Sequence, residues 1–356
     1  MTTAYLNRIA THVPAHDVHD AFVRFAKTLL REDRERAVFS RMVKKSQIDH
    51  RYSVLAPAAN PEGPSVDSGG LYTREAFPTT GERMKLFEAH APELAVKTVE
   101  KLDMGFSDLR RVSHVIVTSC TGLYAPGLDL ELVDRLGLDP SVERTMIGFM
   151  GCYAAINALK MARHVVRSEP SSRVLILNLE LCSLHLQQAT SLDQMLSFLI
   201  FGDGCAASLV TSDSVGLALD SFRAEVLPDT KELITWHVRD SGFDMHLSGR
   251  VPATIARGIG ATKDKVLRGA AAADIQHWAV HPGGRTVLDA VEHGLELAPT
   301  ALRTSRDVLA RFGNMSSATV MFVLDDVLKS ANPGESGCGM SFGPGLTAES
   351  FLFHKV

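Results

Sequence analysis

Short, continuous runs of apolar residues recur along the chain and predict β-strands that are buried on both faces. A strand with one face in water would instead alternate apolar and polar positions. The predicted strands are 115–118, 174–177, 206–210, 278–280 and 320–324.

Between these runs, apolar residues recur three and four positions apart, as they do on the buried face of a helix. Strands that alternate with helices in this way predict an α/β fold whose helices cover the sheets. The predicted helices are 93–102, 130–136, 154–167, 287–297 and 302–312.

Two parts of the chain share a weak symmetry. Residues 113–180 contain a strand, a helix, a Gly-Cys-Tyr-Ala-Ala-Ile segment that opens a second helix, and another strand. Residues 276–324 follow the same plan, with a Gly-Asn-Met-Ser-Ser-Ala segment opening the second helix. Two such halves would place the openings of two buried helices near a common centre. The best candidate for the join is 213–220, so we divide the chain into an N-terminal half, 1–215, and a C-terminal half, 216–356.

Composition narrows the class of protein. The chain has 356 residues, 45% of them hydrophobic and 22% charged, which suits a soluble protein with one large core or two fused halves. A net charge of −4 gives no general attraction to nucleic acid or to an anionic membrane. No uncharged apolar run is long enough to cross a bilayer, so we expect neither a nucleic-acid partner nor membrane insertion.

The five cysteines show neither a Cys-x-x-Cys pair nor the spacing of zinc ligands. Most lie in or beside apolar runs, which favours reduced thiols over disulfides. Residues 1–26 mix charged and apolar residues and lack the apolar core of a signal peptide. We therefore expect a cytoplasmic protein that holds no metal.

Three residues stand out as candidates for chemistry. Cys152 follows a glycine at the start of a predicted helix, where the helix dipole and free backbone N–H groups favour the nucleophilic thiolate. His281 ends a predicted strand just before a Pro-Gly-Gly turn, and Asn314 follows a glycine at a helix start. Taken singly, these are more often a buried thiol, a structural histidine and a helix cap. Their occurrence together favours a catalytic site.

These segments resemble those of the type III polyketide synthases, the chalcone and stilbene synthase group of the thiolase-like condensing enzymes. The resemblance extends from about residue 39 to the end of the chain. It rests on motifs in the family's order and spacing: Gly-Cys-Tyr-Ala-Ala at 151–155, Phe-Gly-Asp-Gly at 201–204, His-Pro-Gly-Gly at 281–284, Gly-Asn-Met-Ser-Ser-Ala at 313–318 and Phe-Gly-Pro-Gly-Leu at 342–346. The resemblance implies a duplicated five-layer αβαβα fold and a homodimer.

The resemblance also implies the roles of the three candidates. Cys152 would take an acyl group from a coenzyme A thioester and carry it covalently. Malonyl-CoA would then lose carbon dioxide, and His281 and Asn314 would donate hydrogen bonds to the resulting enolate oxygen. His281 could also pair with Cys152 as an imidazolium. The substrates would be an acyl-CoA starter and malonyl-CoA, with no metal, flavin or nicotinamide cofactor.

Cavity residues follow from the same resemblance. Phe201 matches the phenylalanine between the CoA tunnel and the cavity, whereas Met245 falls where plant members carry a second gating phenylalanine. Ala125 should sit where a residue crosses from the partner subunit. The remaining wall residues are expected to be Cys120, Leu186, Trp236 and Ser316.

For coenzyme A, Arg41 and Lys45 match the family's phosphate-binding pair and share one helical face. Gly284 is assigned to the same ligand. The family's third basic position falls on Val38, so that contact is absent or is replaced by Lys44.

The function expected from these residues is iterative decarboxylative condensation of malonyl-CoA onto an acyl-CoA, followed by cyclisation. The 182–185 segment and Trp236 resemble bacterial members that make alkylpyrones or alkylresorcinols from long fatty acyl-CoA starters. Short-chain or aromatic acyl-CoA starters are the alternative. The rival readings are a ketoacyl synthase III or a hydroxymethylglutaryl-CoA synthase, a Cys-His-Asn hydrolase, and a non-catalytic acyl-binding homologue.

Overall fold

The computed structural model describes residues 2–74, 76–188 and 192–356, without the side chains of 192–194. Its strands are Tyr5–His12 (β1), His16–Asp17 (β2), Tyr52–Ser53 (β3), His114–Ser119 (β4), Glu143–Gly148 (β5), Val174–Leu181 (β6), Asp203–Thr211 (β7), Leu217–Val226 (β8), Ile234–Arg239 (β9), Gly242–Leu247 (β10), His277–Val280 (β11), Ser336–Gly343 (β12) and Thr347–Lys355 (β13).

The α-helices connect these strands and cover them. They are His19–Leu29 (α1), Asp33–Ser46 (α2), Thr80–Glu100 (α3), Phe106–Leu109 (α4), Leu128–Leu136 (α5), Ala154–Ser168 (α6), Leu192–Phe198 (α7), Val251–Leu267 (α8), Arg285–Gly294 (α9), Arg303–Phe312 (α10) and Thr319–Ser330 (α11). Short 3₁₀ turns at Gly151–Tyr153 and Ser316–Ala318 lead directly into α6 and α11.

Nine strands form one mixed sheet in the order β11-β12-β13-β8-β1-β7-β6-β4-β5. Its middle is held by two residue pairs between β1 and β8, Tyr5 with Ala218 and Leu6 with Leu217. The sheet therefore consists of two half-sheets, β5-β4-β6-β7-β1 from the first half of the chain and β8-β13-β12-β11 from the second.

The buried side chains divide into layers on either side of these half-sheets. Helices α6 and α11 share one apolar core with the inner faces of both half-sheets. Helices α3 and α5 pack on the outer face of the first half-sheet. Helices α8, α9 and α10 pack on the outer face of the second. The predicted five-layer αβαβα arrangement is thus confirmed.

Four of the five predicted strands are confirmed, because they lie within β4, β6, β7 and β11. The prediction of a strand at 320–324 is wrong, because these residues belong to helix α11. All five are buried, so this part of the helix shows no polar face and the segment loses the period of 3.6 residues. A short apolar run of this kind does not distinguish a buried strand from a buried helix.

The five predicted helices are confirmed in position, with differences in length. The predicted helix 93–102 lies almost entirely within the longer α3, which begins at Thr80. The predicted helix 287–297 ends at Gly294, and the helix 154–167 matches α6 almost residue for residue. Within the described ranges, no helix has both the length and the hydropathy needed to span a membrane.

Candidate active site

Cys152 lies in the 3₁₀ turn that opens α6, where the chain approaches the segment after β12. Gly151 has a φ of +70°, and a Cβ atom there would lie 2.5 Å from the Pro344 Cδ atom. Glycine is therefore required at this position both by the backbone conformation and by the close approach. Its presence holds Cys152 at the meeting point of the two halves.

Asn314 is held by both its backbone and its side chain. Its N–H donates to the Ile200 carbonyl at 2.8 Å, and its carbonyl accepts from Gly202 at 3.0 Å. Its side-chain Oδ1 accepts the backbone N–H of Ser316 at 2.8 Å, while Nδ2 lies 3.3 Å from the Gly283 carbonyl oxygen. This pattern fixes the orientation of the amide and leaves its NH₂ group as the donor that faces Gly283.

His281 follows β11 directly, and its backbone N–H donates to the Met340 carbonyl at 2.7 Å. The side chain is 1% exposed, and neither ring nitrogen has a hydrogen-bond partner among the described residues. Burial lowers the pKa of His281 to about 3, because the charged imidazolium would lose its hydration. In the free enzyme, burial therefore favours the neutral ring over the imidazolium that could pair with Cys152.

Cys152, His281 and Asn314 line one cavity of about 100 Å³. Five of the predicted wall residues also line it: Cys120, Phe201, Trp236, Met245 and Ser316. The remainder of the wall is largely apolar and includes Phe198, Ile200, Ile234, Leu247, Val251, Ile255, Val287 and Phe342. The cavity thus encloses the three candidate groups in surroundings that exclude much of the water.

The Cys152 thiol lies 3.8 Å from the Ser316 hydroxyl, so the two 3₁₀ turns meet as the sequence symmetry predicts. Burial raises the pKa of Cys152 to about 12, although contacts with Ser316 and Asn314 lower it in part. At rest, burial therefore outweighs the helix start that favours the thiolate. The thiol needs a base when it attacks, and His281 is an unprotonated base in the same cavity.

A buried carboxylate beneath the cavity was not predicted. Glu180 near the end of β6 is fully buried and accepts hydrogen bonds from the Cys120 N–H at 3.0 Å and the Thr121 hydroxyl at 2.8 Å. The Ser317 hydroxyl donates to it at 2.5 Å. Burial raises the pKa of Glu180, whereas these hydrogen bonds lower it. An acidic residue inside an apolar strand is the signal by which the sequence could have revealed it.

Other cavity residues were also missed, among them Cys182, His185 and Phe198. Cys182 and His185 bound a short 3₁₀ turn after β6, and Phe198 ends α7. Cys182 and His185 follow the end of a buried strand, and this position could have identified them as cavity residues.

Two predicted residues lie away from the cavity. Leu186 lines a second chamber of about 70 Å³, and Ala125 is exposed on the surface of the chain. The second chamber adjoins the first, because Cys182, Phe198 and Phe201 line both. Leu186 is therefore a wall residue of a neighbouring chamber and not of the cavity that holds Cys152.

The predicted CoA residues lie on two elements. Arg41 and Lys45 are both exposed on α2, whose inward residue Phe39 packs in one apolar cluster with Phe198 of the cavity wall. Gly284 precedes α9, and its neighbour Gly283 lines the cavity. The basic pair is thus on the outside of a helix that packs against the cavity wall.

Comparison with known proteins gives matches over nearly the whole chain. The model of the N-terminal domain of chalcone and stilbene synthases matches residues 4–214, and the model of their C-terminal domain matches residues 218–356. The alpha-pyrone synthesis polyketide synthase-like Pks18 of Mycobacterium tuberculosis is 33% identical over 370 residues, which cover 100% of this chain and 92% of that protein.

Solved structures show the same fold. 1,3,6,8-Tetrahydroxynaphthalene synthase from Streptomyces coelicolor A3(2) superposes with a TM-score of 0.87 at 26% identity, covering 99% of both chains. PKS-I from the brown alga Ectocarpus siliculosus superposes with a TM-score of 0.88 at 29% identity, covering 100% of this chain and 99% of the other.

Proposed function

The chain belongs to the chalcone and stilbene synthase family of type III polyketide synthases, and on this premise we propose its substrates and product. The enzyme extends a long-chain fatty acyl-CoA starter with malonyl-CoA and closes the chain to an alkylpyrone. The observation that carries the proposal is that a thiol, an unprotonated imidazole and an oriented amide donor line one largely apolar cavity.

In the loading step, the Cys152 sulfur attacks the thioester carbonyl of the starter and coenzyme A leaves. His281 takes the thiol proton as the sulfur attacks, since its imidazole is neutral and has no competing partner among the described residues. The proton then returns to the departing thiolate of coenzyme A. The acyl group remains on Cys152 as a thioester.

In the extension step, malonyl-CoA loses carbon dioxide and leaves an enolate. The Asn314 NH₂ group and one N–H of His281 donate to the enolate oxygen, which stabilises the charge where it develops. Asn314 suits this role because its Oδ1 is already occupied by the Ser316 N–H. The enolate carbon attacks the Cys152 thioester, and the extended chain returns to coenzyme A.

The starter class is inferred from the second chamber. Val18, Ala21, Phe22, Leu55 and Val66 contribute apolar wall to it, and it adjoins the catalytic cavity through shared residues. A long acyl chain on Cys152 gains burial for each methylene that enters such a space, at about 0.8 kcal/mol per CH₂. A short starter would leave the chamber empty.

We assign the phosphates of coenzyme A to Arg41 and Lys45. Both are exposed and lie one helical turn apart on α2, which packs against the cavity wall through Phe39. Paired cations of this kind suit phosphate groups that lie at the protein surface. The chain as a whole has a net charge of −4, so anionic phosphates need a local group of basic residues such as this pair.

The homodimer is proposed from an apolar edge. Leu123, Met146 and Met150 are 46%, 39% and 37% exposed, and Met146 lies on β5 at the edge of the sheet. Ala125 is exposed near Leu123, which fits the prediction that this segment meets a partner subunit. A second copy that covers the edge would remove these side chains from water.

The test is incubation of the enzyme with malonyl-CoA and either palmitoyl-CoA or hexanoyl-CoA, with mass spectrometry of the products. We expect an alkylpyrone that carries two malonyl-derived units, made faster from palmitoyl-CoA. The Cys152→Ala variant, which lacks the nucleophile, is the control.

Two of the rivals have their own results in the same assay. A single extension would indicate a ketoacyl synthase type of reaction, and free acid released without malonyl-CoA consumption would indicate a hydrolase. Formation of an alkylresorcinol would agree with the long-chain starter but would show that the chain closes by a different cyclisation. Preference for short or aromatic starters would contradict the long-chain assignment.

A further inference from the structure

His185 ends the 3₁₀ turn Cys182–His185 and lines the cavity that holds Cys152. Its side chain is 1% exposed. The mechanism derived above does not use it, although it is a buried titratable group in the wall of the reaction cavity.

The hydrogen bond of His185 determines which of its nitrogens carries the proton. Its Nε2 lies 2.6 Å from the Thr121 carbonyl oxygen. A carbonyl oxygen only accepts, so Nε2 must carry the hydrogen and donate it. In the neutral ring, Nδ1 is consequently an acceptor with a free lone pair.

Two aromatic side chains hold the ring in place. Phe243 stacks on it with ring centroids 4.1 Å apart and an interplanar angle of 15°, and Trp236 meets it edge-on at 5.7 Å. The Trp236 Nε1–H donates elsewhere, to the Cys120 carbonyl at 3.0 Å. Nδ1 of His185 is buried and has no hydrogen-bond partner among the described residues.

A buried acceptor without a donor costs free energy, and a ligand that brings a donor into the cavity recovers it. The ketones and thioester of a poly-β-keto chain are acceptors only. The enol form of such a chain carries an O–H group, and that group is the donor the chain can offer. A fixed acceptor in an apolar wall therefore distinguishes the enol from the ketone.

We infer that Nδ1 of His185 accepts a hydrogen bond from the enol hydroxyl of the polyketide intermediate and so directs ring closure toward the lactone; this rests on the proposed function. In that closure, the enol oxygen forms a bond to the thioester carbonyl carbon and the carbon–sulfur bond breaks. The enol proton ends on the departing sulfur, which restores a thiol. No oxidant or other reactant is needed.

His185 acts here as an acceptor and not as a general base. Burial lowers its pKa to about 3, so the ring does not hold a proton taken from an enol. Its effect is to orient the enol oxygen, which makes it a residue that determines the product.

Three variants distinguish the effect of losing the Nδ1 acceptor from the effect of losing the packing of the ring. In His185→Gln, the amide NH₂ can reach the Thr121 carbonyl but no acceptor replaces Nδ1. In His185→Asn, Oδ1 lies near the place of Nδ1 and restores an acceptor. His185→Phe keeps the stacking on Phe243 and removes both polar atoms.

The readout is the ratio of pyrone to all other products made from one starter. Product amounts are normalised to the carbon dioxide released. We expect the ratio to fall about tenfold in His185→Gln and His185→Phe and to be largely retained in His185→Asn. An unchanged ratio in His185→Gln, or an equal fall in His185→Asn, would overturn the inference.

A binding measurement keeps the inference separate from the proposed function. Titration with 4-hydroxy-6-methyl-2-pyrone, at a mildly acidic pH where this vinylogous acid keeps its enolic O–H, should shift the ¹⁵N resonance of His185 Nδ1 in the wild-type enzyme. It should also bind His185→Gln about tenfold more weakly than His185→Asn. Wild-type enzyme that binds the pyrone in this way but consumes no malonyl-CoA would refute the proposed function and leave the acceptor role standing. No shift of Nδ1 on binding would refute that role itself.

Discussion

The backbone of Phe201 pairs with the backbone of Asn314 in an isolated parallel β-bridge. The bridge consists of the Asn314 N–H to the Ile200 carbonyl and the Gly202 N–H to the Asn314 carbonyl. The wall residue Phe201 and the amide donor Asn314 are therefore held by the same two backbone hydrogen bonds. A change in the backbone of either segment should move the other.

Gly313 tests this coupling. It has a φ of +68°, and a Cβ atom there would lie 2.8 Å from the Ile200 carbonyl oxygen. We expect Gly313→Ala to lower the free energy of unfolding by about 1–3 kcal/mol and to lower kcat about 10–100-fold, because Asn314 is displaced. Gly269→Ala is the matched control, since its φ is +83° with open space around it. Equal losses of activity in both variants would contradict the coupling.

We expect the decarboxylation step to require a neutral hydrogen-bond donor at position 314. We expect Asn314→Asp to be nearly as damaging as Asn314→Ala, each lowering carbon dioxide release from malonyl-CoA by about 10²–10³-fold. The alanine variant lacks the donor, and the aspartate repels the enolate. Alkylation of Cys152 by iodoacetamide should persist in both variants and shows that the fold is intact. Decarboxylation near the wild-type rate in Asn314→Asp would disprove the donor role.

Ser316 should lower the pKa of Cys152. Its hydroxyl lies 3.8 Å from the sulfur, and this contact opposes the effect of burial on the thiol. We expect the pH profile of Cys152 alkylation to move to higher pH in Ser316→Ala, because a donor to the thiolate is lost. Ser341→Ala is a suitable control, because the buried Ser341 hydroxyl has no hydrogen-bond partner among the described residues. A profile that stays in place or moves to lower pH would refute this role.

The neutral state of His281 makes the fold sensitive to acid. Its pKa falls from the ordinary histidine value of about 6.5 to about 3 in the folded chain, so between these values the unfolded chain binds the extra proton. Stability that is present above pH 6.5 is then lost as the pH falls, at about 1.4 kcal/mol per pH unit for this group. Denaturant unfolding between pH 7 and pH 5 should show a shallower decline for His281→Gln than for the wild-type protein. Parallel declines would mean that His281 does not contribute.

Filling the second chamber with a larger side chain should reduce the preference for long starters. Ala21 lines this chamber and is absent from the wall of the catalytic cavity, so Ala21→Phe fills the chamber alone. We expect kcat/KM for palmitoyl-CoA to fall about 10–100-fold, since several methylenes lose their burial at about 0.8 kcal/mol each. The value for hexanoyl-CoA should change little, and Ala253→Phe on the exposed side of α8 controls for the added ring. Equal losses for both substrates would place the acyl chain elsewhere.

Much of the fold could be predicted from local pattern. The run 174–177 is apolar because β6 is buried on both faces, and 154–167 keeps helical spacing because α6 still has a partly polar side. The prediction fails at 320–324, where α11 is buried all round and the helical period is lost. Local pattern reports the contrast between core and solvent, and that contrast is absent where a stretch of helix is buried on all sides.

The sequence by itself determined the reactive groups, their order and the glycines that let the chain approach closely beside them. Cys152, His281 and Asn314 were identified this way because motif and residue type are properties of short segments. Only the tertiary structure decided that Leu186 faces a second chamber, that His281 is neutral and that His185 presents an acceptor. Cavity walls, pKa values and hydrogen-bond partners depend on side chains that are distant in the chain, and these are brought together only by packing.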